Sequence, residues 1–350
     1  MGAFKQKLFV PDFIKGIAIL WVVVFHLFKG FPAVFQADSF GVYDTYYRLM
    51  MHGALGVDLF VILSGFLLTR SIMAKKTVNW NIFLKKRFLR IFPLYWFAIA
   101  VLVILDFSIG SENATFNLAS IFYHILGVQG FTQYIFDMEG AWWYITLIIQ
   151  LYLIFPVFCW LNEKLSSKYL LVVIVVVSIG ARFVPLANVN GNYSLFAFLV
   201  DFYLGIVVAR EFSPDLQCTL NAFGKLYCLI SLLAFLISLY MESISVFSYG
   251  YGLFRPIVSF GIFLTLSSLG TYLRGTRLRK ICEVFLLYGK HSYAIYLFHR
   301  IFIYKYITLS AVFLMPFFQV VVFVAVMLPM GYVLELCEFY LRRSFASVQT

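Results

Sequence analysis

Runs of about 20 predominantly apolar residues recur down the chain, separated by short segments in which lysine and arginine collect. Each run is long enough to cross the hydrocarbon core of a bilayer as an α-helix. Strands of a membrane barrel would be shorter and would alternate apolar with polar side chains, a pattern these runs lack. The spacing predicts ten spans, at about 13–29, 53–70, 92–108, 141–161, 169–186, 194–210, 224–241, 254–273, 284–304 and 312–337. Segment 118–136 is more polar than these, and an interfacial or re-entrant helix is its other reading. No internal repeat is visible, which weighs against an inverted-repeat transporter.

Composition narrows the class. Of 350 residues, 63% are hydrophobic and 12% charged, with a mean hydropathy of +0.91. A soluble domain is nearer half apolar and a quarter charged. No long polar stretch interrupts the pattern, so residues 1–350 read as one transmembrane domain with no separate soluble domain. The five cysteines (Cys159, Cys218, Cys228, Cys282 and Cys337) are scattered, without a C-x-x-C pair, and predict neither a disulfide framework nor a metal site. The first apolar run carries a lysine and a histidine and no cleavage site follows it, so it reads as a retained span.

The net charge of +11 is explained by orientation, and nucleic acid is not an expected partner. With the N-terminus in the cytoplasm, 19 of the 27 basic residues fall on the inner side. They are Lys5, Lys7, Arg70, Lys75, Lys76, Lys85, Lys86, Arg87, Arg90, Lys164, Lys168, Arg210, Lys225, Arg274, Arg277, Arg279, Lys280, Arg342 and Arg343. The stretch 106–140 has no lysine or arginine. The positive-inside rule then predicts an all-α polytopic bundle with both termini inside.

Against this background the polar residues within spans stand out. Lys15 and His26 lie in the first run; eleven helical residues advance about 16 Å and place both side chains on one face. Ionisable groups at that depth are functional-site hypotheses by default. The alternative is that Lys15 snorkels to the interface and His26 bonds a neighbouring helix. Asp58, in the second run, has two readings: it orients His26 as a base, or it forms a structural pair with Arg48 or a helix cap. Ser64-Gly65 reads as a close-packing pair in preference to a nucleophile, because no base sits at helical spacing from Ser64. Arg87 and Arg90, three apart, are helical neighbours and form a phosphate clamp, unless the basic run serves only orientation and lipid headgroups. Trp142, Trp143 and Tyr144 suit an interfacial aromatic belt or the stacking of a sugar ring. In the ninth run, Tyr288, Ser292 and His299 fall within about 40° on one helix. Asp201 and Arg255 read as interfacial anchors, His52 and His124 as structural.

Taken together, these segments resemble the integral-membrane acyltransferase 3 family, which acylates glycans, mostly in bacteria. Lys15-x10-His26, preceded by Asp12, resembles the family's Arg-x10-His. Gly56 to Phe66 is similar to its G-V-D-x-F-F-x-x-S-G-F. Arg87, Arg90, Pro93 and Tyr95 match Arg-x-x-Arg followed by Ile-x-Pro-x-Tyr. Trp143-Tyr144-Ile145 and Tyr152 to Pro156 match a W-[FY]-[LI] element and Y-L-x-x-P. Ser292 to His299 matches S-Y-x-x-Y-L-x-H. The matches run in order across nearly the whole chain. Two positions depart from the pattern. Lysine at position 15 keeps the charge and loses the bidentate fork, and Gln150 stands where some members have glutamate. The esterase-like domain of larger members is absent from the sequence.

The resemblance implies an O-acyltransferase that moves an acyl group, usually acetyl, from acyl-coenzyme A on the cytoplasmic side to a hydroxyl of a cell-envelope or extracellular glycan. It implies His26 as base or acyl carrier, with Asp58 orienting the site. Lys15, Arg87 and Arg90 would hold the coenzyme, and Trp143, Tyr144, Ser292, Tyr296 and His299 would face the acceptor. No metal is implied. Expected partners are acyl-coenzyme A, a glycan or lipid-linked sugar, the bilayer, and a separate acyl-relay or polysaccharide-assembly protein. The expected location is the bacterial inner membrane. Two other classes fit the same features: an exporter or flippase of a glycan or lipid-linked sugar, and a non-catalytic assembly subunit.

Overall fold

The computed structural model describes residues 9–30, 52–75, 77–109, 117–183, 193–211, 229–230, 232–233, 236, 247–310 and 316–347. Among these the regular structure is helical throughout: α1 (Phe9–Gly30), α2 (Leu55–Met73), α3 (Trp80–Ile109), α4 (Leu118–Leu126), α5 (Trp143–Lys164), α6 (Ser167–Phe183), α7 (Leu195–Glu211), α8 (Phe247–Arg274), α9 (Arg279–Lys290), α10 (Ser292–Ser310) and α11 (Pro316–Ser347). Among the described residues, five stretches are long and apolar enough to cross a membrane: Phe9–Phe28, His52–Met73, Trp80–Leu105, Trp143–Lys164 and Phe254–Arg274. Ser167–Ala181 and Val321–Leu336 are shorter apolar helices. The predicted seventh span, 224–241, and Arg48 lie largely or wholly outside the described residues.

Apolar helices in a bilayer gain little by hiding from lipid, so their association depends on close packing and interhelical hydrogen bonds. Two glycine crossings supply the packing. A Cβ on Gly65 of α2 would collide with the Phe202 carbonyl of α7, and one on Gly205 of α7 with the Ile62 carbonyl of α2. A Cβ on Gly16 of α1 would likewise strike the Phe285 carbonyl of α9, and one on Gly289 the Asp12 carbonyl of α1. The packing role expected of Gly65 is therefore what the fold uses.

Segment 118–136 does not form a spanning helix. Its helix, α4, has 9 residues, about 14 Å at 1.5 Å per residue, less than half the hydrocarbon thickness. It ends at Gly127, whose φ of 71° supplies a left-handed cap that a side chain would strain. The chain then folds back onto α3 and the start of α5. Gln129 Nε2 donates to the Trp142 carbonyl at 2.9 Å and to Tyr95 Oη at 3.2 Å, and Thr146 Oγ1 donates to the Gly127 carbonyl at 2.9 Å.

The predicted ninth span is also interrupted. α9 closes at Lys290 and α10 opens at Ser292, with His291 between them at φ −96° and ψ 11°. Tyr288 thus belongs to a different helix from Ser292 and His299, and its hydroxyl donates to the Val324 carbonyl of α11 at 2.6 Å. The expected three-residue stripe is corrected to two residues on α10. This break lets α9 lie tightly along α1 while α10 turns inward beside it.

Candidate active site

The amphiphilic residues of α1, α2, α3, α5 and α10 enclose one cavity of about 130 Å³. Its walls are apolar: Val22, Val57, Phe60, Leu63, Leu67, Leu68, Ile91 and Ile148. Its polar lining is Lys15, Ser64, Arg87, Arg90, Tyr144, Tyr152, Ser292, Tyr293 and Tyr296. Lys15, Arg87 and Arg90, far apart in sequence, therefore share one chamber with Tyr144, Ser292 and Tyr296. Ser64, read from sequence as a packing residue in preference to a nucleophile, lines the chamber together with Tyr144. Tyr152 and Tyr293 were not singled out beforehand, although both lie inside the motifs Y-L-x-x-P and S-Y-x-x-Y-L-x-H.

The three cations are held differently. Lys15 Nζ pairs with Asp12 Oδ1 at 2.9 Å, one turn back on α1. The Arg87 guanidinium lies over the rings of Phe83 and Tyr152, at 5.3 and 5.9 Å from their centroids. Its Nε is buried without a hydrogen-bond partner. A buried donor left unmatched is costly. Arg90 is exposed at the chamber's edge.

One turn beyond the chamber, α1 and α10 bring two histidines together. His299 Nε2 lies 3.2 Å from His26 Nδ1, and the ring centroids are 4.9 Å apart. His299 Nδ1 faces the Tyr296 carbonyl at 2.7 Å, and His26 Nδ1 also faces the Val22 carbonyl at 3.0 Å. Carbonyl oxygens only accept. His299 therefore carries its proton on Nδ1 and presents a lone pair on Nε2. His26 carries its proton on Nδ1, shared between that lone pair and the Val22 carbonyl. The lone pair of His26 falls on Nε2, the ring nitrogen a general base needs. Ser292 and Lys15 share the chamber while His299 meets His26, so α10 runs parallel to α1.

Asp58 is placed elsewhere. It is fully buried and takes a bidentate grip from Arg255 of α8: Nε lies 2.9 Å from both carboxylate oxygens and Nη2 lies 2.7 Å from Oδ2. Arg255 Nη2 also reaches the Ala54 carbonyl at 3.3 Å, and its guanidinium lies 5.3 Å from the Phe198 ring centroid. Arg255 is thus an interhelical clasp and not an interfacial anchor. Asp201, likewise read as an anchor, is fully buried on α7 and accepts from Ser259 Oγ of α8 at 2.7 Å. Arg300, next to His299, pairs with Glu139 at 3.1 Å across the entrance to α5. Burial pushes the Glu139 carboxyl up, opposed by that guanidinium.

Trp143 does not line the chamber. Its ring packs on Tyr193 at 5.0 Å and Phe198 at 5.6 Å. Trp142 is fully buried and donates from Nε1 to the Leu297 carbonyl at 3.0 Å. With Tyr296 Oη donating to the Ala141 carbonyl and Tyr293 Oη to the Ile91 carbonyl at 2.7 Å, three aromatic side chains moor α10 to α3 and α5. His52 and His124 are both buried, and His124 Nδ1 faces the Ser120 carbonyl at 2.8 Å. Among the described residues, no group of three or more His, Cys, Asp or Glu is placed to hold a metal ion.

Comparison with known proteins supplies an independent finding. A family model described as an acyltransferase domain matches residues 10–336. A Staphylococcus aureus (strain COL) protein named "Putative O-acetyltransferase" is 22% identical over 333 residues, covering 85% of this chain and 51% of its own length. A Caenorhabditis elegans protein named "Regulator of hypoxia-inducible factor 1" is 29% identical over 185 residues, covering 47% of this chain and 36% of its own. The chain thus spans about half, or less, of the length of these relatives. No solved structure matches it.

Proposed function

The chain belongs to the acyltransferase 3 family, and from that membership we propose a membrane O-acyltransferase that moves an acyl group, typically acetyl, from acyl-coenzyme A to a glycan hydroxyl. The observation that carries this reading is the chamber itself. It joins a cluster of cations to an apolar passage that ends one turn short of His26. A coenzyme thioester has the same polarity profile, with an anionic phosphate end and a long weakly polar arm. Arg87, with its unmatched buried Nε, and Arg90 hold the phosphates, assisted by Lys15. The arm lies among Val57, Phe60, Leu63 and Ile148. Eleven residues of helix separate Lys15 from His26, about 16 Å, a distance an extended arm can cover.

In this account His26 Nε2 takes the proton from the acceptor hydroxyl as that oxygen bonds to the acyl carbon. The carbon–sulfur bond breaks, and His26 returns the proton to the departing thiolate, so the products are ester and free thiol. The position of the base within an apolar helix limits the water that would hydrolyse the thioester. Tyr144 and Ser64 offer hydroxyls at the chamber wall to orient the reacting groups, while the Tyr296 hydroxyl is engaged by the Ala141 carbonyl. Asp58 positions α2 through Arg255 and acts on the site indirectly. The charge pattern supports ten spans with both termini inside and the donor on the cytoplasmic face, in an inner membrane of a bacterial type. The acceptor is a cell-envelope or extracellular glycan.

The purified protein in lipid nanodiscs should bind acetyl-coenzyme A and release free thiol when acceptor is added. Arg87→Ala with Arg90→Ala should abolish saturable donor binding. A folded wild type that binds no donor would overturn the reading in favour of an exporter.

A further inference from the structure

A second cavity, of about 220 Å³, opens at the junction of α2 and α3. It is lined by Ser71, Lys75, Thr77, Asn79 and Lys86, and it meets the transmembrane chamber at one side chain, Arg87. Its chemistry differs from the chamber's. Hydroxyl and amide groups alternate with two ammonium groups, and only Ile82 and Phe83 are apolar. The cavity lies at the amino end of α3, a helix of 30 residues, where Asn79 Oδ1 accepts from the Ile82 N–H at 3.1 Å. A helix N-terminus flanked by lysines favours a compact anion.

The wall between the two cavities connects this site to the chamber. Arg87 Nε is buried and unmatched although the guanidinium is held by two rings. A molecule that passes Arg87 with one anionic group and ends in the outer cavity with another would satisfy both features. We propose that this outer cavity is a subsite for a nucleotide phosphomonoester, and that Lys75 and Lys86 recognise the 3′-phosphate of the coenzyme donor while Arg87 takes its diphosphate. The inference rests on the acyl-coenzyme A reading. It adds a recognition site outside the residues assigned to the chamber. A phosphomonoester carries close to two negative charges at neutral pH, which two lysines match. The same cations could instead hold an anionic phospholipid headgroup, so the test separates these sources.

The experiment compares acetyl-coenzyme A with its 3′-dephospho analogue in nanodiscs of zwitterionic lipid, for wild type and the Lys75→Ala/Lys86→Ala double variant. Binding of adenosine 3′,5′-bisphosphate is measured beside it. The wild type should show a KM about tenfold lower for the full donor, equivalent to about 1.4 kcal/mol. The double variant should lose that preference with kcat within about twofold, a loss of ground-state binding, and should bind the bisphosphate about tenfold more weakly. Equal KM values for both donors in the wild type would overturn the subsite. So would a bisphosphate affinity that is equal in the wild type and the double variant in zwitterionic lipid, with the two differing only when phosphatidylglycerol is present, which assigns the lysines to lipid. Bisphosphate binding that depends on the lysines, without turnover of any acyl-coenzyme A, would keep the phosphate subsite and sink the acyl-transfer reading.

Discussion

His299 reaches the proposed chemistry through one nitrogen, and that makes its contribution measurable. Its Nε2 accepts from His26 Nδ1 at 3.2 Å, which holds the His26 lone pair on the opposite ring nitrogen. Replacing His299 by Phe removes the acceptor and leaves the Val22 carbonyl alone to orient the ring. We expect kcat to fall by about tenfold or more, with donor Kd unchanged, because an imidazole in the wrong orientation or tautomer is a poor base. His299→Gln, which restores an acceptor, should recover part of the loss. A fall in donor affinity equal to the fall in kcat would show that His299 only shapes the pocket. pH dependence tests the same assignment on His26. A base must be neutral to accept a proton, so the chemical step should slow as pH is lowered through the range in which histidine protonates, about pH 8 to 5. A flat profile over that range contradicts the role. Lys15 and His26 were legible as a pair because their eleven-residue spacing sets one helix face. Their actual companions were not. Asp12 is one turn away from Lys15, but the contact between His26 and His299 joins residues 273 positions apart, which no periodicity specifies.

At the scale of elements, two devices hold the site's walls, and each has a measurable cost. The crossings at Gly65 and Gly16 bring backbone to backbone, so an added methyl must push two helices apart. Gly65→Ala and Gly16→Ala should each destabilise by about 1–3 kcal/mol, as overpacking does, seen as a lower midpoint in detergent melting. Gly180 on α6 has nothing within 4 Å of a Cβ, and Gly180→Ala should leave that midpoint unchanged or raised. The second device is the Asp58–Arg255 pair between α2 and α8. Breaking a buried pair by removing one partner leaves an uncompensated charge, at about 3–5 kcal/mol. Asp58→Ala and Arg255→Ala should therefore be severe singly, and the double variant less severe than their sum; additive losses would argue that the pair is not coupled. The reading of Asp58 as an important buried acid was available from its position in an apolar run. Its partner was not, because Arg255 sits 197 residues later. The break at His291 escaped notice for another reason: Gly289-Lys290-His291-Ser292 reads as polar residues inside one helix, whereas α9 ends there and α10 begins.

On the scale of the whole molecule, length and hydropathy were enough to identify a helical membrane protein, since apolar runs of this size have few other fates. The polar chamber could not be read that way, because its lining comes from five helices separated by most of the chain. What made its members conspicuous one by one was their cost in a bilayer, and the fold then brought most of them together. Lys15, Arg87, Arg90, Tyr144, Ser292 and Tyr296 share the chamber, whereas Trp143 is drawn off by Tyr193 and Phe198. The charge asymmetry extends the account to sidedness. In sealed, oriented proteoliposomes, turnover should require acetyl-coenzyme A on the face that exposes Lys75 and Lys86, and donor confined to the other face should give none. The most direct test of the central claim separates donor holding from chemistry in one preparation, with wild type, Arg90→Ala and His26→Ala compared in nanodiscs for acetyl-coenzyme A binding and thiol release. The account predicts that Arg90→Ala loses binding, and that His26→Ala binds as wild type while turnover drops by about 10²–10⁴-fold. Turnover retained by a folded His26→Ala variant would contradict it.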